Sequence, residues 1–388
     1  MERKTLGEIC DIVSGGTPSR SNKEYWDNGN IPWVKIGNIK SKYVSEVDEY
    51  ITEEGLANSS AKLLKKGTLL YTIFATLGET GILDIDASTN QAIAGITIRD
   101  KDIVDIDYLY YYLKSKKAYV NNIGRGVAQN NINMSMLRGF DVPLPFMAEQ
   151  KEIVDTLDSI NGIIHKREEE LQLLDNLIKA RFVELFGEPE NNTKNWDIKT
   201  LDSLCKVGSS KRIYQSEQSD SGVPFLRISD LVYLMDNNEL MSDLFIPEER
   251  YEELLDLNQV PEVGDILVTS RGTLGRCYIV KESDRFYFQD GMISWLYDYS
   301  DEITPIYISY LFSMPGFRKQ IDVLQAGSTV AYLSIAMLKK LLVMIPPIET
   351  QREFYDFVVQ VDKSKVAVQE ALDETQILFD SLMQEYFG

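Results

Sequence analysis

Residues 149–187 read EQKEIVDTLDSINGIIHKREEELQLLDNLIKARFVELFG. The apolar residues recur in steps of four and three, a heptad spacing typical of a helix that lies along another helix. Gly187 follows where a helix end favours positive φ, and Pro189 prevents continuation. At 1.5 Å per residue this helix would be about 58 Å long, longer than an ordinary core helix. The predicted seam is Ile153, Leu157, Ile160, Ile164, Arg167, Leu171, Leu174, Ile178, Arg181 and Leu185.

The chain contains an internal repeat. Gln150 and Phe186 recur as Gln351 and Phe387, an offset of 201 that stays constant through the helical segment. The offset drifts in the other parts, where PWVKI (32–36) recurs as PFLRI (224–228), because loops tolerate insertions. Carried over by 201, the second seam is Phe354, Val358, Val361, Lys365, Val368, Leu372, Thr375, Phe379, Leu382 and Tyr386.

The repeat predicts four segments and an α+β fold. Two globular domains, residues 1–148 and 188–348, are each followed by a long helix, residues 149–187 and 349–388. Residues 1–148 combine strand-like stretches with one predicted helix over residues 106–123, without a regular β-α-β rhythm. Two equal helices in one chain predict an antiparallel intramolecular coiled coil that buries both seams and separates the domains.

Composition is that of a globular protein of two or three domains, with 388 residues and 44% apolar residues. The formal net charge of −20 argues against nucleic acid as a partner, but residues 236–265 and the two helical segments carry most of it. The sequence has no run long enough for a membrane span and no signal peptide. Three widely spaced cysteines fit a reducing cytoplasm and exclude a zinc site, and a single histidine, His165, excludes chemistry that needs two.

The chain resembles a specificity subunit of a type I restriction–modification system. The matching stretches are GGTPS (15–19), IPWVKIGNI (31–39), GVAQNNINMSMLRGFDVPLP (126–145) with AEQKEIVDTLDSI (148–160), and the counterparts AGSTVAYLSIAMLKKLLVMIPP (326–347) and IETQREFYDFV (348–358). The resemblance implies two target recognition domains that each read half of a bipartite, asymmetric DNA site, with the helix pair setting the spacing. It also implies docking of modification subunits that bind S-adenosylmethionine, and of restriction subunits that use ATP and Mg²⁺. The chain itself would then bind no cofactor and would not be an enzyme.

Given this resemblance, residues 14–42 are interpreted as a loop that follows phosphates and reaches base edges. Without it, a solvated surface loop is the favoured interpretation. The candidate DNA contacts of this loop are Thr17, Ser19, Arg20, Lys23, Lys35, Asn38, Lys40 and Lys42. The equivalent candidates of the second domain are Lys211, Arg212, Arg227, Ser229 and Asp230.

Two further stretches hold candidate contacts. Arg125 and Gln129 lie among Asn and Gly residues, where amide side chains suit adenine and the same residue types also form turns. Arg271, Thr273 and Arg276 surround a tight turn, where the arginines suit phosphate or guanine. The first copy has Phe74 and Glu79 in place of the two arginines, which we interpret as a difference between the two half-sites, although drift in a non-functional turn explains it nearly as well.

Two other functions remain as alternatives. A structural adaptor would bind proteins through two heads with an acidic surface and would not bind DNA. A methyltransferase is less favoured, because Pro346-Pro347-Ile348 lacks the amide and the aromatic residue that hold a flipped adenine. The sequence also has no glycine-rich dinucleotide motif and no P-loop.

Overall fold

The computed structural model describes residues 2–124, 131–325 and 331–388. The chain forms two compact units: an N-terminal unit of Met1–Glu168 and Glu370–Gly388, and a central unit of Glu169–Gln369. Each predicted long helix therefore contributes one part to each unit. Across the described ranges, no helix has the length and apolar content needed to cross a membrane.

The N-terminal unit combines short strands with short helices before the first long helix. Its elements are β1 (Glu2–Thr5), α1 (Leu6–Ile9), β2 (Cys10–Ser14), β3 (Ile31–Val34), β4 (Tyr43–Val44), β5 (Glu49–Ile51), α2 (Glu53–Ala57), β6 (Leu69–Thr72), β7 (Thr80–Leu83), β8 (Ser88–Thr89), β9 (Ile93–Ile98), α3 (Ile106–Ser115), α4 (Lys117–Gly124), α5 (Met134–Arg138), β10 (Asp141–Leu144) and α6 (Met147–Phe186).

Three sheets build this unit. The largest has the order β2-β9-β6-β7-β4, and its edge strand β4 runs parallel to β7. The order of the second sheet is β5-β3-β8, and β1 pairs with β10 next to the start of α6. The main core lies between the large sheet, the tyrosine-rich helix α3 and the helices α6 and α12.

The central unit repeats this plan. Its elements are β11 (Asp197–Thr200), β12 (Lys206–Gly208), β13 (Val223–Leu226), α7 (Ile228–Asn237), β14 (Phe245–Ile246), α8 (Glu248–Asp256), β15 (Ile266–Thr269), β16 (Cys277–Ile279), β17 (Tyr287–Phe288), β18 (Ile293–Tyr297), α9 (Pro305–Ser313), α10 (Pro315–Gln325), α11 (Ile335–Leu338), β19 (Leu342–Ile345) and α12 (Ile348–Phe387). The predicted α+β class and the internal repeat are confirmed.

The strand pairing of the two units corresponds element by element, with one exception. The sheets β12-β18-β15-β16, β14-β13-β17 and β11-β19 match β2-β9-β6-β7, β5-β3-β8 and β1-β10. The exception follows the repeated PWVKI and PFLRI strands. In the N-terminal unit a 3₁₀ turn leads to β4, whereas in the central unit the ten-residue helix α7 follows β13.

Every position of the two predicted seams is buried or half-buried in its unit. In the N-terminal unit, Ile153, Leu157 and Phe379 join one core, and in the central unit Ile178 and Phe354 join another. The predicted seams omit Val154, Phe182 and Met383, and the last residues of the two helices, Phe186 and Phe387, which are also buried. These residues widen the buried stripe because each helix packs on sheet and helices as well as on its partner helix.

The polar seam positions bond to the facing helix. The guanidinium of Arg167 donates to Ala371 O and to the hydroxyl of Thr375 in the N-terminal unit. In the central unit, Lys365 pairs with Asp175 at 2.7 Å. Arg181 pairs there with Glu353 at 2.5 Å. Because the partner number falls from 365 to 353 as the first helix advances from 175 to 181, the two helices run antiparallel in that unit.

One predicted helix is wrong in its extent. Residues 106–123 form two helices, α3 and α4, because α3 ends at Lys116. The Lys116 N–H closes the last turn of α3 on Leu113 O and Lys114 O. Its side chain donates to Phe387 O at 2.8 Å and thereby caps the end of α12 within the same unit.

Candidate nucleic-acid interface

The predicted loop of the N-terminal unit is anchored on two glycines. Gly15 N–H donates to Ile93 O at 3.0 Å, and Gly16 N–H donates to Thr89 O at 2.8 Å. A Cβ on Gly15 would lie 2.1 Å from Asn90 O. The GGTPS turn therefore needs glycine because its backbone packs directly on the segment that contains β8.

Two predicted cations meet on one carboxylate. Arg20 pairs with Glu49 at 2.5 Å and Lys35 pairs with the other oxygen of Glu49 at 2.6 Å. The Arg20 guanidinium also lies over the ring of Trp26, with 3.6 Å between its central carbon and the ring centroid. Hydrogen bonds from Lys35 and Arg20 hold the pKa of Glu49 below its usual range. We call Arg20, Lys35, Glu49 and Trp26 the cation cluster.

Lys42 lies apart from the cation cluster and is already paired. It contacts Asp107 of α3 at 2.9 Å and Asp158 of α6 at 2.8 Å, and its side chain is only 15% exposed. Burial alone would lower the pKa of Lys42, but the hydrogen bonds to the two aspartates outweigh it and raise the pKa. Lys42 thus ties the predicted loop to the long helix, a role that the sequence pattern did not indicate.

The other predicted residues of this loop have varied surroundings. Lys23 and Lys40 are exposed, and the described residues offer neither an acidic partner within ion-pair distance. Thr17 bonds to the side chain of Gln91, and Ser19 lies 2.8 Å from Ser21 through their hydroxyl groups.

Asn38 and Asp230 have the same structural role in the two units. Asn38 Oδ1 accepts the Lys35 N–H at 2.8 Å, directly after β3. Asp230 Oδ2 accepts the Arg227 N–H at 2.9 Å, directly after β13. Each side chain caps a turn or helix start, as in a capping box. The two predicted contacts thus satisfy backbone groups of their own loops.

Arg227 of the central unit corresponds to Lys35 and is likewise held by carboxylates. It pairs with Asp230 at 3.1 Å and also with Asp243. The hydrogen bond that the Arg227 guanidinium donates to Asp230 raises the pKa of Arg227. Ser229 Oγ lies 3.1 Å from Asp230 and points to the same carboxylate.

Lys211 and Arg212 follow the short strand β12. Arg212 pairs with Asp290 at 2.9 Å. Lys211 is exposed, and its backbone N–H donates a hydrogen bond to the Tyr287 hydroxyl at 2.8 Å. No carboxylate lies within ion-pair distance of the Lys211 ammonium in the described ranges.

The tight turn of residues 271–276 is built in the same way as the corresponding turn of residues 74–79 in the N-terminal unit. Thr269 Oγ1 donates to Thr273 O at 2.5 Å and accepts the Arg276 N–H at 2.9 Å. In the first copy Thr72 Oγ1 accepts the Glu79 N–H at 2.8 Å and bonds to Thr76 O. The hydroxyls of Thr72 and Thr269 therefore hold this turn in both units by bonding to backbone groups within and directly after the repeated TLG sequence.

The two arginines of this turn differ in their contacts. Arg276 pairs with Asp236 at 2.6 Å and holds the pKa of that carboxyl below its usual range. The Arg271 guanidinium lies 5.2 Å from the ring centroid of Tyr332, and Arg271 is exposed. Predicted contacts Arg125 and Gln129 lie outside the described residues.

The match to known proteins decides the family. Residues 1–173 and 193–375 match the family model described as the type I restriction modification DNA specificity domain. The chain belongs to this family. The two matched ranges coincide with the two copies of the repeat, so each unit is built around one specificity domain.

Known specificity subunits are similar to this chain over most of their length. The MjaIX specificity subunit of Methanocaldococcus jannaschii is 25% identical over 382 residues, which cover 92% of this chain and 85% of the relative. The EcoKI specificity subunit of Escherichia coli K12 is 22% identical over 416 residues, covering 98% and 87%. Both relatives are type I restriction enzyme specificity subunits.

Solved structures share the fold of the two specificity domains. The S subunit of a type I restriction–modification system from M. genitalium has a TM-score of 0.53 at 17% identity, with 100% of this chain and 96% of that chain covered. A chain from a structure of complex assembly and conformational transition in a type I R-M system has a TM-score of 0.60 at 16% identity, covering 100% and 97%.

Sequence reasoning missed the residues that hold the candidate contacts. Glu49 organises two cations of the first specificity domain, yet it lies 14 residues from Lys35 with no local motif to indicate it. Asp243 forms an ion pair with Arg227, and the ring of Tyr332 lies beside the guanidinium of Arg271. Within the described ranges, no three His, Cys, Asp or Glu side chains are grouped closely enough to bind a metal ion.

Proposed function

We propose that the chain is the DNA-binding specificity subunit of a type I restriction–modification complex, and that each unit reads one half of a bipartite, asymmetric target. The duplicated specificity domain carries this proposal. Apart from β4, the two copies keep the same strand pairing, but they place different cations at the equivalent position, Lys35 after β3 and Arg227 after β13. Equivalent positions with different side chains are what two different half-sites require.

The candidate contacts divide into two classes. Exposed cations with no carboxylate partner among the described residues suit phosphate binding, and they are Lys23, Lys40, Lys211 and Arg271. Cations that carboxylates orient suit base edges because their charged groups are held in place before binding. They are Arg20, Lys35, Arg212, Arg227 and Arg276. Lys42 is better explained by its ion pairs with Asp107 and Asp158.

In this proposal the two long helices set the gap between the half-sites and bind modification subunits. The support comes from exposed side chains that are identical in both copies, which helix packing does not require. They are Asp155 and Asp356, Glu169 and Glu370, Leu177 and Leu378, and Glu184 and Glu385. Leu177 is 48% exposed and Leu378 is 51% exposed. A surface repeated in this way fits one partner bound twice.

The chemistry would belong to the partners. Modification subunits would bind S-adenosylmethionine and methylate adenine, and restriction subunits would use ATP and Mg²⁺ to translocate and cut double-stranded DNA. This chain would be non-catalytic, would hold no cofactor, and would act in the cytoplasm. With a net charge of −20, the isolated chain is expected to bind DNA weakly, so the partner belongs in every binding assay.

Sequence selection tests the proposed function. The full chain is combined with a type I modification subunit and with a pool of randomised DNA duplexes, and bound duplexes are sequenced after several rounds. We expect one enriched site made of two different specified parts with a fixed gap. The modification subunit alone is the control. Absence of any enriched sequence would favour a protein-binding adaptor with two heads.

A further inference from the structure

Strand β16 of the central unit leaves one edge of its sheet open. In the sheet order β12-β18-β15-β16, no described residue pairs with the outer side of β16. Thr269 N–H donates to Arg276 O and Val280 N–H donates to Asp265 O, both toward β15. Because backbone groups alternate along an antiparallel strand, those of Cys277 and Ile279 point to the open edge.

The N-terminal unit fills the equivalent edge with its own chain. There β4 runs parallel to β7, with Tyr43 opposite Ile82. Ile82 N–H donates to Lys42 O at 2.7 Å, and Asp84 N–H donates to Val44 O at 3.0 Å. In the repeat, Ile279 corresponds to Ile82 at an offset of 197, and α7 replaces the segment that would supply a counterpart of β4.

A groove of about 430 Å³ lies along this open edge. Its walls come from β16, from α7 through Leu234 and Met235, and from α9 through Ser309 and Tyr310. Of the described residues that line it, Arg276, Lys281 and Arg318 are cationic and none is acidic.

Among the described residues, two of these cations have no carboxylate within ion-pair distance, and Asp362 interacts electrostatically with one of them, Lys281, without forming an ion pair. Arg276 pairs with Asp236 at 2.6 Å. Lys281 instead donates to Asn238 Oδ1 at 2.5 Å, and Arg318 donates to Leu274 O at 2.9 Å. In a chain with a net charge of −20, the groove is therefore a local positive site beside an unpaired strand.

We propose that this groove binds an extended acidic segment of a partner protein, which adds to β16 as a parallel strand. The open backbone groups of Cys277 and Ile279 provide the hydrogen bonds of strand addition. The parallel direction follows from β4, which occupies the equivalent edge in the other unit. The segment is acidic because Lys281 and Arg318 line the groove and form no ion pair with any described carboxylate.

A peptide derived from the chain itself provides the probe. Residues 40–46, Lys-Ser-Lys-Tyr-Val-Ser-Glu, contain β4, and the probe replaces both lysines of this heptapeptide by glutamate. Fluorescence anisotropy measures binding of the labelled probe to the full chain. We expect saturable binding, with the unmodified lysine peptide about tenfold weaker, since exposed ion pairs contribute a few-fold each.

Changes in both molecules separate strand addition from simple charge attraction. N-methylation of the probe's valine removes the N–H that parallel pairing directs to Ile279 O, and it leaves the protein unchanged. We expect binding about tenfold weaker with this peptide, as also for Lys281→Glu with the unmethylated probe. Lys194→Glu, an exposed charge reversal in the same unit and outside the groove, is expected to leave binding unchanged.

Three results would overturn the proposal. Equal affinity for the acidic and the basic peptide would remove the charge argument, and unchanged affinity of the N-methylated probe would remove strand addition. The third is displacement of the probe by a random-sequence DNA duplex together with weaker DNA binding by Lys281→Glu. That result would make the groove a nucleic-acid surface.

Discussion

Gln150 and Gln351 make the same three hydrogen bonds at the first turn of the two long helices. Gln150 Oε1 accepts the Asp105 N–H at 2.9 Å. Its Nε2 donates to Ile103 O at 2.9 Å and to Pro145 O at 2.9 Å. The side chain is completely buried, at 0% exposure, and its bond to the Pro145 carbonyl is buried as well.

Gln351 repeats this arrangement in the central unit. Its Oε1 accepts the Thr304 N–H at 2.8 Å, and its Nε2 donates to Glu302 O at 2.8 Å and Pro346 O at 2.9 Å. Each glutamine thus joins the start of a long helix to the loop before α3 or α9. The identity of the two residues across an offset of 201 has a structural cause.

Replacement of either glutamine by leucine is expected to destabilise its unit. Gln150→Leu removes the side-chain partner of one N–H and two carbonyls, and because the Pro145 carbonyl is buried this costs about 2 kcal/mol in the free energy of unfolding. Urea unfolding measures the change. Gln172→Leu, at an exposed position of α6, is the control and should change stability by less than about 0.5 kcal/mol. Equal stability of Gln150→Leu and Gln172→Leu would contradict the structural role.

The helices and the repeat are predictable because their signals are periodic. A seam with steps of three and four specifies which face is buried, and every seam position is buried or half-buried. In the sequence, the polar positions of the seams interrupt the apolar pattern. In the structure Arg167 and Arg181 reach across to the facing helix, because long side chains can span it while their stems stay in the seam.

The internal contacts of the two globular domains are less predictable because the residues that form them are distant in sequence. PWVKI and PFLRI both predict a strand, and both form one, yet the next segment is a 3₁₀ turn in one copy and α7 in the other. The partner carboxylates Glu49 and Asp243 lie 14 and 16 residues from the cations they hold, at spacings set by tertiary structure alone. Candidate contacts can therefore be predicted by residue type, but not the pairing of their charges.

The ion pairs of Glu49 predict a pH dependence of stability. The folded-state pKa of Glu49 lies below its ordinary value, so its contribution is complete above the unfolded pKa of about 4.3 and is lost as pH falls through the lowered folded pKa. The melting temperatures of wild type and Glu49→Gln should therefore differ above about pH 5 and converge as the pH falls below about 4. A constant difference across this range would contradict the assignment.

The repeated leucines predict the stoichiometry of partner binding. Leu177→Asp and Leu378→Asp should each remove one bound modification subunit, because a charge opposes burial of an exposed apolar contact. Native mass spectrometry measures the composition of the complex. Leu173→Asp is the matched control, since Leu173 is 66% exposed but its repeat position is Glu374. Loss of a subunit in the control alone would contradict the proposed surface.

The lengths of the helices predict the gap between half-sites. One heptad inserted after Asn161 of α6 and one after Ile377 of α12 keeps the seam periodicity and adds about 10 Å, or about three base pairs. Sequence selection should return the same two half-sites with a wider gap. Seven Gly and Ser residues inserted after Asn191, in the segment between α6 and β11, should leave the gap unchanged. An unchanged gap with the longer helices would contradict the proposal that the helices set the spacing of the half-sites.

The central claim is that each unit reads its own half of one DNA target. The most direct measurement is sequence selection with the modification subunit present, carried out in parallel on wild type, Lys35→Ala and Arg227→Ala. We expect Lys35→Ala to relax base preference within one half of the site only and Arg227→Ala to relax it within the other half only, by about 1–3 kcal/mol at the base concerned. Changes by both variants in the same half, or an unaltered site in both, would contradict it.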